Sequence, residues 1–295
     1  MTQFEEIVVN IKAEHARKKP IYDARPTKGE RFAVPREDKE PVNVLLHRPS
    51  VPGPHAVLIN MHGGGFVGLD AVVLDDLCQT ICDALGIFVV NVNYRLSPEA
   101  AYPYAAEEVC DVTDYFRAHA AEYDLDPEKF AVMGESAGAS LANSASLMLR
   151  DAGRPYACQV LIYTPPTLAG LPGEEQDPEE DSFRMLYCQH GEHRSLYVSP
   201  LLGTDEEVAG QCPTVFVTCE HDALRLPAEL YAKRLIDLGV PVAYKQFKGA
   251  LHGFIEVCCG ESFFEEDERK TPEQTALARE AERFVCAQLR AFLSL

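Results

Sequence analysis

A pentapeptide with the residues needed for a reactive serine lies near the middle of the chain. Residues 134–138 read G-E-S-A-G, directly after an apolar run and directly before a run of small residues. A sharp strand-to-helix turn here would expose the serine hydroxyl, and the flanking glycines would let strand and helix approach each other. The N–H of Ala137 and the helix N-terminus would then face negative charge on a substrate. The pattern predicts Ser136 as a nucleophile, with Glu135 as a support of the turn.

A second glycine-rich segment follows an apolar run that ends at Met61. Residues 62–66 read H-G-G-G-F. Successive glycines let the backbone fold so that two N–H groups point at one oxygen, which is the requirement of an oxyanion hole. We interpret His62 and Gly65 as supports of this loop and place His62 outside the catalytic group.

A serine nucleophile needs a histidine base, which in a strand-helix hydrolase follows the serine and the acid along the chain. His252 lies in residues 249–254, G-A-L-H-G-F, just after the predicted strand 242–247, where a loop can present an imidazole to Ser136. The position favours His252 as the base. The other histidines after the serine are His190, His193 and His221.

The acid that orients the base is sought at the end of the predicted strand 214–219, because loops at the carboxyl edge of a parallel sheet build sites. Asp222 and Glu220 both lie there. We prefer Asp222 because it lies beyond the end of the strand. A capping role for Asp222 at the helix that starts near Pro227 is the competing interpretation.

The elements around these motifs alternate between strands and helices. Continuous apolar runs predict buried strands, and helical runs separate them. Two shorter alternating segments, 31–34 and 42–46, read as antiparallel edge strands. The repeated units predict an α/β fold with a mostly parallel sheet covered by helices. The strands are expected at 56–61, 87–92, 130–134, 158–163, 214–219 and 242–247, and the helices at 69–85, 105–121, 136–149, 227–238 and from 271.

The 295 residues contain no internal repeat or linker, so we expect one domain over residues 1–295. Apolar residues 4, 7, 8 and 11 have helical spacing, which predicts a short amphipathic helix leaning on the rest of the protein. Residues 165–200 break the alternation, with turn-forming and acidic residues at 177–181 and a short helix expected at 183–187. A loop this long inside a domain is typical of a functional element such as a lid.

The net charge and the cysteine content restrict the classes of protein to which the chain can belong. There are 46 acidic and 27 basic residues, which gives a formal charge of -19 and disfavours nucleic acid or an anionic membrane as a partner. No apolar run approaches the roughly 20 residues of a membrane span. The first ten residues, with Glu5 and Glu6, do not read as a signal peptide. The ten cysteines then indicate reduced thiols in a cytoplasmic protein.

A metal site is not expected. Cys188, His190 and His193 lie close together in sequence, but no fourth ligand accompanies them. The chemistry of Ser136 needs no metal and no organic cofactor.

Taken together, the motifs resemble those of the hormone-sensitive-lipase-like branch of the α/β-hydrolases. That resemblance implies the α/β-hydrolase fold, the triad Ser136, Asp222 and His252, and an oxyanion hole formed by the N–H groups of Gly63, Gly64 and Ala137. It also implies a cap built from residues 1 to about 45 and 166–200. The motifs that carry the resemblance are 62–66, 93–99 (N-Y-R-L-S-P-E), 134–138, 222–225 (D-A-L-R) and 252–254.

Two positions depart from the family pattern. Glu135 stands where an aspartate is common, and Ala223 stands where a proline commonly follows the acid. Neither departure removes a reacting group.

We therefore expect a serine carboxylesterase, and the short cap predicts small esters with acyl chains from acetyl to about hexanoyl. An arylformamide, amide or lactone hydrolase would use the same triad. A catalytically silent receptor for a small ligand is the alternative of another class. The resemblance also makes a homodimer possible, through a sheet edge or the last helix.

Overall fold

The computed structural model describes residues 3–171, 182–260, 264 and 266–295. Eight strands form one sheet: β1 (Glu30–Arg36), β2 (Lys39–His47), β3 (His55–Met61), β4 (Phe88–Asn93), β5 (Leu125–Glu135), β6 (Cys158–Ile162), β7 (Thr214–His221) and β8 (Val242–Leu251). Their order across the sheet is β1-β2-β4-β3-β5-β6-β7-β8.

The sheet is parallel from β4 to β8 and antiparallel at its other end. β3, β5, β6, β7 and β8 all run parallel to their neighbours, whereas β2 pairs with β4, and β1 with β2, in the antiparallel sense. The predicted, mostly parallel sheet with two antiparallel strands at one end is confirmed. Because the carboxyl ends of six consecutive parallel strands meet at one edge, the loops after β3, β5, β7 and β8 are brought together there.

Helices cover both faces of the sheet. They are α1 (Gln3–Ala24), α2 (Asp75–Leu85), α3 (Tyr104–Ala118), α4 (Ala120–Tyr123), α5 (Ala137–Asp151), α6 (Ser182–Tyr187), α7 (Asp205–Val208), α8 (Arg225–Asp237), α9 (Phe254–Cys258) and α10 (Pro272–Phe292).

The two cores follow the alternation of side chains along the central strands. In β3, Val57 and Ile59 join the core shared with α3, α5 and α8. Leu58, between them, joins the core shared with α2 and α10 on the opposite face. Such alternation in a strand buried on both faces explains why its sequence reads as a continuous apolar run.

The helix expected over 69–85 starts later than predicted. Leu69 has a left-handed backbone with φ of 69°, and residues 71–74 form a 3-10 turn before α2 begins at Asp75. The side chain of Asp70 accepts a hydrogen bond from the N–H of Val72 and so caps this turn. Apolar periodicity does not distinguish a 3-10 turn from the first turn of an α-helix, which accounts for the error.

The N-terminal segment also differs from expectation. α1 is 22 residues long, and its half-buried positions repeat at helical spacing along one face. Residues 30–47 belong to the central sheet as β1 and β2, so in the expected cap segment 1–45 only α1 and the short connection after it lie outside the sheet.

The irregular segment contains the short helix predicted at 183–187, since α6 spans Ser182–Tyr187. The acidic turn expected at 177–181 lies outside the described residues. Over the part of the chain that the structure describes, none of the ten cysteines is in a disulfide. The described helices include none that is both long enough and apolar enough to cross a membrane.

Candidate active site

Ser136 occupies a strained turn between β5 and α5. Its φ of 53° and ψ of -117° are unusual for a residue with a side chain, and strain of this kind costs about 1 to 3 kcal/mol. Its N–H donates to the carbonyl of Ile162 at 2.9 Å, which ties the turn to β6. Gly138 is required two residues later, because a Cβ there would overlap the carbonyl oxygens of Met61 and His62. The predicted strand-turn-helix context of Ser136 is therefore present.

Ser136, His252 and Asp222 form a continuous chain of hydrogen bonds. Nε2 of His252 lies 3.0 Å from Oγ of Ser136, and Nδ1 lies 2.7 Å from Oδ2 of Asp222. An ionised carboxylate only accepts, so Nδ1 carries the proton that is donated to Asp222. Nε2 is then free to accept the proton of the serine hydroxyl. The side chain of Asp222 is only 5% exposed, whereas that of His252 is 39% exposed, toward the solvent side of the site.

Glu220, the competing acid, has a different partner. Its Oε2 accepts a hydrogen bond of 2.8 Å from the N–H of Gly249, on the strand that leads to His252. Two more side chains hold the same loop: Nη1 of Arg269 donates to the carbonyl of His252 at 2.9 Å, and Oε1 of Gln274 accepts from the N–H of Leu251 at 3.1 Å. The loop that presents the imidazole is thus fixed by contacts from three other segments.

The glycine loop lies against the serine turn. Gly64 and Gly65 both have positive φ, 101° and 61°. No acceptor among the described residues bonds the N–H groups of Gly64, Gly65 or Ala137, so these donors are open to a ligand. Gly65 was expected only to support the loop, and its N–H is therefore an additional candidate donor.

The segment 93–99 stabilises the glycine loop through hydrogen bonds to its backbone. The hydroxyl of Tyr94 lies 3.0 Å from the carbonyl oxygens of both His62 and Gly63, and the N–H of Ser97 donates to the carbonyl of Phe66 at 2.8 Å. Nδ1 of His62 donates to the carbonyl of Gly63 at 2.8 Å, and its ring stacks on Tyr94. Complete burial lowers the pKa of His62, which favours a neutral, structural imidazole.

The N–H of Gly63 faces a buried carboxyl group rather than the open side of the loop. Burial raises the pKa of Glu256, while the nearby His252, Arg269 and the Gly63 N–H act in the opposite direction. The Gly63 N–H and the Glu256 carboxyl do not reach the geometry of a hydrogen bond, and Oε1 of Glu256 has no partner among the described residues. Gly63 and Gly64 both stay candidate oxyanion donors, since neither N–H bonds an acceptor among the described residues.

Aromatic side chains of the irregular segment cover the glycine loop. The rings of Phe66 and Tyr187 stack with centroids 3.9 Å apart. Phe183, which is 50% exposed, packs its ring over Gly65, with its Cγ 3.1 Å from the place a Cβ would occupy. On the other side, Nε2 of His15 in α1 donates to the carbonyl of Val67 at 2.6 Å. α1 and α6 thus both contact the segment around the glycine loop.

A cavity of about 640 Å³ lies between α1 and the residues that follow the glycine loop. Its lining includes Lys12, His15, Leu69 and Tyr94, but not Ser136. Leu69 also packs against Gly64, so this side chain lies between the cavity and the glycine loop.

The remaining candidate histidines are not part of this arrangement. His190 and His221 are exposed, and His193 is half-buried in the irregular segment. No group of three His, Cys, Asp or Glu side chains that could hold a metal ion is found among the described residues. Tyr163 is a neighbour that the sequence did not indicate: its ring packs edge-on to His252 at 4.9 Å.

Comparisons with known proteins identify the family and the fold. A family model described as the alpha/beta hydrolase fold matches residues 58–256. An acetyl esterase of Salmonella dublin is 32% identical over 227 residues, which cover 72% of this chain and 69% of the relative. The structure of a hyperthermophilic esterase from Pyrobaculum calidifontis has a TM-score of 0.77 at 25% identity, covering 98% of this chain and 94% of that one. A thermostable carboxylesterase from a metagenomic library has a TM-score of 0.78 at 25% identity, covering 99% and 98%.

Proposed function

This chain belongs to the alpha/beta hydrolase family, and on that premise we propose that it hydrolyses carboxylic esters through an acyl-enzyme on Ser136. The observation that carries the proposal is the unbroken hydrogen-bonded chain from Ser136 through His252 to Asp222. A catalytically silent receptor would have no need of a strained serine turn joined to a buried acid in this way.

The reaction follows from the positions of these groups. Nε2 of His252 takes the proton of the Ser136 hydroxyl while Oγ attacks the acyl carbonyl, and Asp222 stabilises the imidazolium that forms. His252 then gives the proton to the departing alcohol, which leaves the acyl group on Oγ. Water attacks this acyl-enzyme in the same way, with His252 as base, and releases the carboxylic acid and the free serine.

Backbone donors stabilise the tetrahedral intermediates. The N–H groups of Gly64 and Ala137, which bond no acceptor among the described residues, stabilise the oxyanion in this proposal, and Gly65 supplies a third donor. Gly63 is the further donor that we expected, and its N–H lies beside the carboxyl group of Glu256. The N-terminus of α5 adds its positive end at Ser136.

A labelling experiment tests the proposal. A fluorophosphonate probe should label the wild-type chain and hydrolysis of a nitrophenyl acetate should be measurable, whereas Ser136→Ala should show neither. Thr80→Ala, on the exposed face of α2, is the matched control and should behave as wild type. A wild-type chain that resists the probe would refute the serine mechanism.

Small esters are the substrates we propose. α1 and α6 both contact the segment around the glycine loop, and Phe183 packs over Gly65, so the space for an acyl or alcohol group beside it is restricted. The related acetyl esterases act on a short acyl group by name. A nitrophenyl ester series should give the highest kcat/KM between acetyl and hexanoyl, and a maximum at long chains would contradict this. Parallel assays with amides and lactones test the other scissile bonds.

A homodimer through β8 is the association we propose. β8 is the last strand of the sheet, and the neighbouring surface exposes Leu226, Leu230, Ile236 and Tyr244. Light scattering after gel filtration should give twice the monomer mass, and a monomer at micromolar concentration would contradict it.

The ten cysteines, none of them in a disulfide among the described residues, support a cytoplasmic location.

A further inference from the structure

Two carboxyl groups are buried beneath the catalytic site without the partners that buried carboxyls normally have. Glu135, beside the nucleophile, is fully buried, and Glu256, in the first turn of α9, is 8% exposed. Both side-chain oxygens of Glu135 and Oε1 of Glu256 lack a hydrogen-bond partner among the described residues. Buried polar groups are nearly always paired, so this cluster needs an explanation in terms of charge or function.

Glu256 lies against the glycine loop and the histidine loop, next to the end of the nucleophile strand. A Cβ placed on Gly63 would overlap Oε1 of Glu256, and the same point lies 3.2 Å from the backbone oxygen of Glu135. Oε2 of Glu256 lies 3.4 Å from the corresponding point on Gly253, the residue after His252. The glycine loop, the nucleophile strand and the histidine loop therefore meet at one carboxyl group.

The surrounding charges favour different protonation states for the two acids. Burial raises the pKa of Glu135 well above its ordinary value, and the charge of Glu256 raises it further. Burial also raises the pKa of Glu256, but here the imidazole of His252, the guanidinium of Arg269 and the N–H of Gly63 act in the opposite direction. Glu256 is therefore the first of the two acids to ionise, while Glu135 keeps its proton. The other titratable groups that face the pair are Tyr94, Tyr163, Cys78, Cys219 and Cys259.

We propose that Glu256 is a positioning residue for ester hydrolysis: its buried carboxyl group, with Glu135 beside it, holds the glycine loop against the loop that carries His252. The proposal rests on the function proposed above. The first consequence is geometric, because the oxyanion donors Gly64 and Gly65 directly follow the residue that Glu256 touches. The second is electrostatic, because a negative charge next to His252 favours the imidazolium that forms during the reaction.

A double-mutant cycle tests the geometric part. Gly63→Ala introduces the Cβ that overlaps Glu256 and should lower kcat by about tenfold or more, with KM changed less than about twofold, since misplaced oxyanion donors act on the transition state. In a Glu256→Ala background the same substitution should cost less than about twofold, because the overlap has been removed. Equal losses in both backgrounds would overturn the proposed contact.

The conservative variant Glu256→Gln tests the electrostatic part. It keeps the size of the side chain and removes its charge, so a residue that only fills space would leave catalysis unchanged. We expect kcat to fall by about tenfold, since transition-state electrostatics are lost, and the acid limb of the kcat/KM profile to move to lower pH, because protonation of the imidazole becomes less favourable. An acid limb and a kcat identical to wild type would refute this part.

Two controls separate this proposal from the one it rests on. Glu273→Gln, at an exposed position in the first turn of α10, should leave kcat, KM and the pH profile unchanged. The melting temperature of each variant identifies those that fail to fold. Absence of esterase turnover and of fluorophosphonate labelling in the wild type would refute the proposed function, whereas an active wild type with unaffected Glu256 variants would refute only the positioning role.

Discussion

Nε2 of His252 lies 3.0 Å from Oγ of Ser136, although 116 positions separate the two residues in the chain. The contact exists because β5 and β8 are parallel members of one sheet and their following loops leave the same edge. The serine is fixed by its strained turn, whereas the histidine depends on side chains from other segments that hold its loop. Mutations of the residues that hold the His252 loop are therefore more informative about the site than mutations in the serine turn.

Replacing each acid at the end of β7 separates their roles. Asp222→Asn should lower kcat by on the order of 10⁴-fold, because an amide can donate to Nδ1 and so stabilise the wrong tautomer of His252. Glu220→Gln should change kcat by less than about threefold, since its amide oxygen still accepts from Gly249. Steady-state kinetics on a nitrophenyl ester measure both. Comparable losses in the two variants would contradict the assignment of Asp222.

The hydroxyl of Tyr94 should contribute to both stability and turnover. Tyr94→Phe leaves two buried carbonyls, of His62 and Gly63, without this donor, which should lower the free energy of unfolding by about 1 to 3 kcal/mol. The loosened glycine loop should also lower kcat. Urea unfolding and kinetics measure these outcomes. Tyr104→Phe is the matched control, because the hydroxyl of Tyr104 bonds no described residue. Equal behaviour of the two variants would show that the Tyr94 bonds are unimportant.

Sequence patterns identified most of this arrangement because they are local. The serine turn, the glycine loop and the histidine segment each combine a short motif with an adjacent strand, and the strand positions followed from apolar runs. Glu256, Arg269 and Tyr163 gave no such signal. Their contacts with Gly63 and His252 arise only when distant segments pack together, and no periodicity encodes that.

The late start of α2 has a similar cause. The 3-10 turn is capped by a hydrogen bond that Asp70 accepts from the N–H of Val72, and it follows the left-handed Leu69, while the apolar pattern is the same for either helix type. The choice between Glu220 and Asp222 likewise depends on their hydrogen-bond partners, which the sequence does not show. Glu220 bonds Gly249, and Asp222 bonds His252.

The stability of the protein should fall as the pH rises above the ordinary carboxyl range. Burial raises the pKa of Glu135 well above its ordinary value of 4.5, so the folded state keeps a proton that the unfolded chain loses. The stabilising effect is fully present below pH 4.5 and is lost as the pH rises toward the folded pKa, by up to about 1.4 kcal/mol per pH unit for one proton.

Glu135→Gln tests this dependence because glutamine cannot ionise. Chemical unfolding at pH 5 and pH 8 should show a smaller loss of stability for this variant than for the wild type. Glu273→Gln, at its exposed position, should retain the wild-type dependence. An unchanged pH dependence in Glu135→Gln would mean that another group is responsible.

Phe183 should restrict the size of the ester. Its ring packs over Gly65, at the edge of the loop that carries the oxyanion donors, yet half of its surface is open to solvent. Phe183→Ala should therefore raise kcat/KM for octanoyl relative to acetyl esters by about tenfold, since the removed ring makes room for several methylenes that each contribute by burial. Phe183→Trp should move the same ratio in the opposite direction, and acetyl turnover in both variants reports whether the glycine loop is intact. If both variants keep the wild-type ratio, the ring does not border the bound ester, and the preference for short chains must come from another part of the site.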